Sequence, residues 1–235
     1  MKMRTIRWLV LIPALAIGCK SNPFSDRDGS AALVVDDDFL VDVPESDRAD
    51  IAVARTERSE MRDLVAIAER NVEQGRRQLD VAEEELAAAE AAVRTAEKSL
   101  AVAGEDDESV RASEIGDANR RLEGARARKH WARSKVAYQG THISRLESQT
   151  DLARLRLEWS EARVELAKAR AVHELDRPEA RALSVGEFEA RVAEKQVEVA
   201  MAEIDAQAWE KKAQVRQHAL DDRLAGLSET RERHH

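Results

Sequence analysis

The chain has 235 residues, 36% of them charged and only 3% aromatic, with a formal net charge of −8. Ala, Glu, Arg and Leu dominate, a composition of long helices and coiled coils that argues against an aromatic-cored globule. The acidic balance excludes binding to nucleic acid by phosphate neutralisation, and nine acids against Lys20, Arg27 and Arg48 over residues 20–50 leave no polybasic surface for anionic lipid.

Met1–Arg7 is basic and Trp8–Ile17 is apolar. The apolar run is about ten residues, too short for the roughly 20 that span a bilayer. Basic, apolar, then small is the order of an export signal. Gly18-Cys19 closes it, and Cys19 is the only cysteine, so no intrachain disulfide forms. Leu15-Ala16-Ile17-Gly18-Cys19 resembles the lipobox of bacterial lipoproteins. The resemblance implies cleavage between Gly18 and Cys19, diacylglycerol on the Cys19 sulfur and an N-acyl chain on the new amino terminus. No cofactor beyond that covalent lipid is expected. Several acyl chains anchor stably, since each buried CH₂ contributes about 0.8 kcal/mol. Lys20 follows the cysteine where Asp retains enterobacterial lipoproteins in the inner membrane, so the resemblance implies the periplasmic face of the outer membrane.

Residues 19–46 read as a flexible, disordered tether, punctuated by Pro23 and Pro44 and without heptad order. Two apolar clusters interrupt it, Leu33-Val34-Val35 and Phe39-Leu40-Val41, either as a transient strand pair or as a docking strip. Asp36-Asp37-Asp38 lacks the spacing and glycine of a calcium loop and reads as solvated linker.

Helix 1 is predicted over about 47–103, capped by Asp47 with Asp50 complementing the dipole. Its seam reads Ile51, Arg58, Val65, Val72, Leu79, Leu86, Val93, Leu100, with the small row Ala54, Met61, Ala68, Gly75, Ala82, Ala89, Ala96, Ala103. About seven heptads of this kind argue a coiled coil whose small row admits a close partner. Gly104 reads as a left-handed stop, and Glu105-Asp106-Asp107-Glu108 as an acidic turn.

Helix 2 spans about 110–175. Its seven-residue reading gives Ile115, Leu122, Lys129, Val136, Ile143, Thr150, Leu157, Val164 and Ala171, with the companion row Ala118, Ala125, Ala132, Gln139, Leu146, Ala153, Ser160 and Ala167, a seam weaker in the middle; a second stripe runs through Leu152, Leu155, Trp159, Ala162, Leu166 and Ala169. Two stripes imply neighbours on two sides. Gln139-Gly140-Thr141 is a soft spot where a bend is expected, Gly140 costing about 1 kcal/mol relative to Ala. Asp176-Arg177-Pro178 ends the helix. Helix 3, about 185–230, opens on the capping box Ser184-Val185-Gly186-Glu187. Its seam is Val185, Val192, Val199, Ala206, Ala213, Leu220 and Leu227; residues 232–235 fray.

Glu165–Ala171, Leu183–Glu189 and Val192–Ile204 resemble the helical hairpin of periplasmic adaptor (membrane fusion) proteins. The Gly- and Val-rich strands that flank such hairpins have no counterpart after residue 46. No phosphate loop, dinucleotide fingerprint, nucleophile elbow or paired-histidine zinc motif is present, so neither catalysis nor a metal site is expected. Trp131, Tyr138, Trp159 and Trp209 read as gap fillers between helices or as a partner strip.

The fold class expected is all-α: an elongated antiparallel coiled-coil bundle of about three long helices, up-down-up, over residues 47–231 behind the tether and a signal of residues 1–18. Tight turns would make paired positions add to roughly 214 between helices 1 and 2 and roughly 361 between helices 2 and 3. Residues near 84–129 then form a two-helix tip carrying Glu105, Asp106, Asp107 and Glu108 as the partner surface. The function expected is a membrane-anchored structural or adaptor lipoprotein of the cell envelope, or else a periplasmic chaperone or accessory subunit of a transport or secretion complex. Its partners are a membrane through the lipid and a protein, or a second copy, through the helices, with no nucleic acid and no small-molecule substrate.

Overall fold

The computed structural model describes residues 33–104, 111–175 and 183–232, and among them there is no strand. Three long helices carry the fold: α1 (Ala49–Ala103), α2 (Arg111–His173) and α3 (Val185–Glu232). At 1.5 Å per residue they measure about 83, 95 and 72 Å. From Val35 onward the chain is one compact unit, an all-α helical bundle.

The seams turn inward as their spacing predicts. On α1 the buried residues are Ile51, Ala54, Val72, Gly75, Ala82, Val93 and Ala96. Arg58, the one charged residue of the large row, is half-buried. On α3, Val199, Ala206 and Ala213 are buried and Val185, Val192, Leu220 and Leu227 half-buried, with Phe188 added at 3% exposure. On α2, Ile143, Leu146, Thr150 and Val164 are buried on one stripe and Ala162 and Ala169 on the other. Residues two apart, such as Ala162 and Val164, project about 200° apart around a helix. Thus α2 is the central helix, with α1 along one side and α3 along the other, and α1 and α3 scarcely meet. α2 runs unbroken through Gln139-Gly140-Thr141.

Ion pairs running the length of the bundle set its direction. Arg163 meets Glu57, Arg62 meets Glu161, Arg154 meets Glu69, Arg76 meets Glu147, Lys135 meets Glu85 and Arg126 meets Glu97. Numbers rise on one helix as they fall on the other, so α1 and α2 are antiparallel. Arg170–Glu189, Arg156–Glu203 and Arg145–Glu210 do the same for α2 and α3. The paired positions add to about 220 and about 357, against the 214 and 361 of symmetric tight turns. The first interface is therefore displaced by several residues. Its size complementarity shows why: at Gly75 a Cβ would lie 3.0 Å from Leu146 Cδ1 and 3.4 Å from Ile143 Cγ1, so the glycine is the hollow that receives those side chains. By the same register α3 is long enough to reach alongside about residue 124, so the two-helix portion is shorter than the expected 84–129. At its base Val93, Ala96, Leu122 and Ala125 form a core cluster with Leu100 packed against it.

Three local expectations are corrected. Gly104 sits in the right-handed region, at φ −79° and ψ −14°, and its N–H donates to the Leu100 and Ala101 carbonyls at 3.2 and 3.1 Å. The helix tightens its last turn there, and Gly104 is not a left-handed stop. Asp47 does not cap α1, because a 3₁₀ helix, Glu45–Arg48, leads into it and places Arg48 at the cap. The disordered tether does not extend to residue 46. Asp37–Asp42 is a 3₁₀ helix whose cap Asp36 accepts from the Asp38 N–H at 3.1 Å. Val35 and Val43 are buried at 1% and 2% exposure. Residues 35–48 are thus a docked strap, which resolves the choice between strand pair and docking strip. Arg48, just before α1, folds back within the strap, its guanidinium donating to the Val43 and Val41 carbonyls at 2.9 and 3.0 Å.

Candidate docking surface

Gly18 and Cys19 of the lipid-attachment motif, and Glu105, Asp106, Asp107 and Glu108 of the expected tip, lie outside the described residues, as does Pro178. The structure instead assembles three features that the sequence reading left unremarked.

The first is a clasp on the strap. Glu165 of α2 accepts the Val35 N–H on Oε2 at 2.8 Å and faces Lys168 through Oε1 at 3.0 Å. Lys168 also reaches Asp37 at 2.7 Å. Lys168 is only 7% exposed, so its ammonium is lodged where charge is costly unless paired. Burial pulls its pKa down, but the hydrogen bonds to Asp37 and Glu165 outweigh burial and hold it above the ordinary lysine value. The same bond and charge from Lys168 hold Asp37 below the usual carboxylate value. The Asp triplet is therefore a cap and an ion-pair partner. The signal in the sequence was slight: Lys168 stands between Ala167 and Ala169 on a helix with two apolar stripes.

The second is a groove. Because α1 and α3 stand apart, α2 floors a channel between them. One stretch of about 560 Å³ is lined by Met61 of α1, Trp159 and Arg163 of α2, and Val199, Ala200 and Glu203 of α3. An adjoining stretch near the strap is lined by Asp47, Asp50, Arg163, Arg170 and Val192. Charge along it is compensated internally: Arg163 meets Glu57 at 2.5 Å and Arg156 meets Glu203 at 2.6 Å. Arg163 also lies over the Trp159 ring, 5.1 Å from its centre, and the buried Trp159 indole N–H has no acceptor among the described residues. The other two tryptophans among the described residues are built alike, each beneath a cation one turn away: Lys135 over Trp131 and Lys212 over Trp209. All three are half-buried, with the cation held against the ring face.

The third is the outer face of α3, where Val197, Met201, Ile204 and Val215 are 59–68% exposed. Among the described residues no three His, Cys, Asp or Glu side chains converge as a metal site. His142 lies beside Tyr138, 5.6 Å between ring centres with the planes tilted by 36°. Burial, then the charge of Arg145, lower its pKa below the ordinary histidine value. The neighbouring Glu210 is lowered too, chiefly by its hydrogen bond from Arg145. No described helix is long and apolar enough to cross a membrane. Compared with known protein families, with curated proteins and with solved structures, the chain matches none. Any functional reading therefore rests on the residues themselves.

Proposed function

We propose that this protein is a lipid-anchored coiled-coil component of a bacterial cell envelope, attached through Cys19 to the periplasmic face of the outer membrane, with a structural or adaptor role and no catalysis. The strap carries this reading. Val35, Asp37 and Val43 fix the chain to α2 through Glu165 and Lys168 and by burial, and only about 16 residues separate Val35 from Cys19. Extended, that stretch reaches at most about 55 Å. A lipid on Cys19 therefore holds one defined end of the helical unit close to a membrane, and force on the anchor passes into a clasped, well-packed base rather than into a frayed helix end. The exposed apolar face of α3 and the groove floored by α2 are the surfaces available to a protein partner.

The test is fractionation of cells producing the wild-type chain and Cys19→Ser. The wild type is expected in the detergent phase at the mature mass plus acyl chains, and Cys19→Ser unprocessed. A Cys19→Ser chain that is cleaved normally and still partitions into detergent overturns lipid anchoring. Crosslinking in intact cells then separates the roles. One stoichiometric envelope partner supports an adaptor, whereas a spread of unfolded outer-membrane proteins supports a chaperone.

A further inference from the structure

We infer that the outer face of α3 is an interface with a second copy of this chain, the two α3 helices running antiparallel. α2 carries two apolar stripes, and each is covered by a helix. α3 also carries two. Phe188, Val199, Ala206 and Ala213 are buried against the bundle. On the far side run Ala190, Ala193, Val197, Met201, Ile204, Ala208, Lys211 and Val215, every one exposed. Ile204 and Ala206 illustrate the geometry: two residues apart, they project about 200° apart. The outer stripe advances in steps of three or four over about four heptads, long enough for a coiled coil. Val197, Met201 and Ile204 give it large side chains at its centre.

Charge selects the occupant and its direction. Lys211 is the one charged residue within the stripe, and Glu194 borders its first half. Neither belongs to the pairs Arg170–Glu189, Arg156–Glu203, Lys195–Glu158 and Arg145–Glu210 that hold α3 to α2. In a parallel pair Lys211 would meet Lys211 and Glu194 would meet Glu194, and like charges at a seam repel. In an antiparallel pair centred between Met201 and Ile204, those two side chains face each other across the axis, Val197 lies beside Ala208 and Val215 beside Ala190. Glu194 then lies beside Lys211, twice by symmetry. Such a two-fold contact is self-complementary and closed. It places the two straps at opposite ends of the shared α3 seam, with the far portions of the two bundles projecting beyond it in opposite directions, so two copies anchored in one membrane lie along its surface. The inference stands on α3 and is independent of lipid attachment.

The test is sedimentation equilibrium of the full chain in mild detergent, with the variants Met201→Glu plus Ile204→Glu, Lys211→Glu, and Lys211→Glu plus Glu194→Lys. The wild type is expected as a dimer at micromolar concentration. The Met201/Ile204 variant is expected as a monomer with an unchanged helical circular dichroism spectrum, since both positions are exposed. Lys211→Glu should weaken the dimer about tenfold, and adding Glu194→Lys should restore it. A wild type that stays monomeric at tens of micromolar, including one recovered only with a different envelope protein on this face, overturns the inference. So does a dimer indifferent to the Met201/Ile204 change, and a dimer that Glu194→Lys fails to rescue overturns the antiparallel arrangement.

Discussion

Replacing two helix-interior glycines by alanine tests the register of the bundle. Gly75 and Gly140 lie inside α1 and α2, and either substitution gains about 1 kcal/mol of helix propensity. At Gly140 an added Cβ meets nothing within 4 Å, so the whole gain is kept. At Gly75 the new carbon falls 3.0 Å from Leu146 Cδ1 and 3.4 Å from Ile143 Cγ1, and both neighbours are buried. Leu146 must give way inside a packed seam, and crowding of that kind costs about 1–3 kcal/mol. Gly75→Ala is therefore expected to end between neutral and about 2 kcal/mol less stable. Urea unfolding followed by circular dichroism at 222 nm resolves the difference, and for a chain of this size each kcal/mol moves the melting temperature by about 2–4 °C. If Gly75→Ala stabilises as much as Gly140→Ala, Leu146 does not face Gly75 and the register is wrong.

Glu165→Ala removes the acceptor of the Val35 N–H and one of the two anions on Lys168. It should cost about 2–3 kcal/mol and expose residues 35–48 to protease before the helices unfold, which limited proteolysis with mass spectrometry detects. Phe188→Ala should cost about 3–5 kcal/mol by thermal unfolding, since the ring is 3% exposed and its loss leaves a cavity. In acid the clasp should open first. Asp37 is lowered in the fold, so its contribution is present above 3.8 and lost as pH falls below it, whereas that of the raised Lys168 is present below 10.5 and lost only above it. Protease protection of the strap measured from pH 7 to pH 2 should therefore fall only in the acid range. His142 is also lowered in the fold, so its contribution is present above 6.5 and lost as pH falls through that region. The melting temperature should drop from pH 7.5 to pH 5, and His142→Gln should flatten that drop.

Which residues of each helix turn inward was legible in the sequence. A heptad seam follows from the period of one helix alone, and Ile51 to Leu100 on α1, the two stripes of α2 and Val185 to Leu227 on α3 are buried or half-buried nearly throughout. The central place of α2 was legible for the same reason, because only a helix with two neighbours keeps two apolar stripes. The register was not. Sliding two Ala-rich seams by a few residues exchanges one small side chain for another, so the period leaves several alignments close in energy. The alignment is settled between chain segments far apart in sequence: by Gly75 accepting Leu146, and by ion pairs such as Arg76–Glu147 and Arg154–Glu69. The strap was hidden likewise. Val35 and Asp37 look like linker because their partners, Glu165 and Lys168, lie over a hundred residues on. A short segment without a period of its own becomes ordered only when a folded surface offers it a buried site and a matching charge. That surface exists only after α2 has been placed.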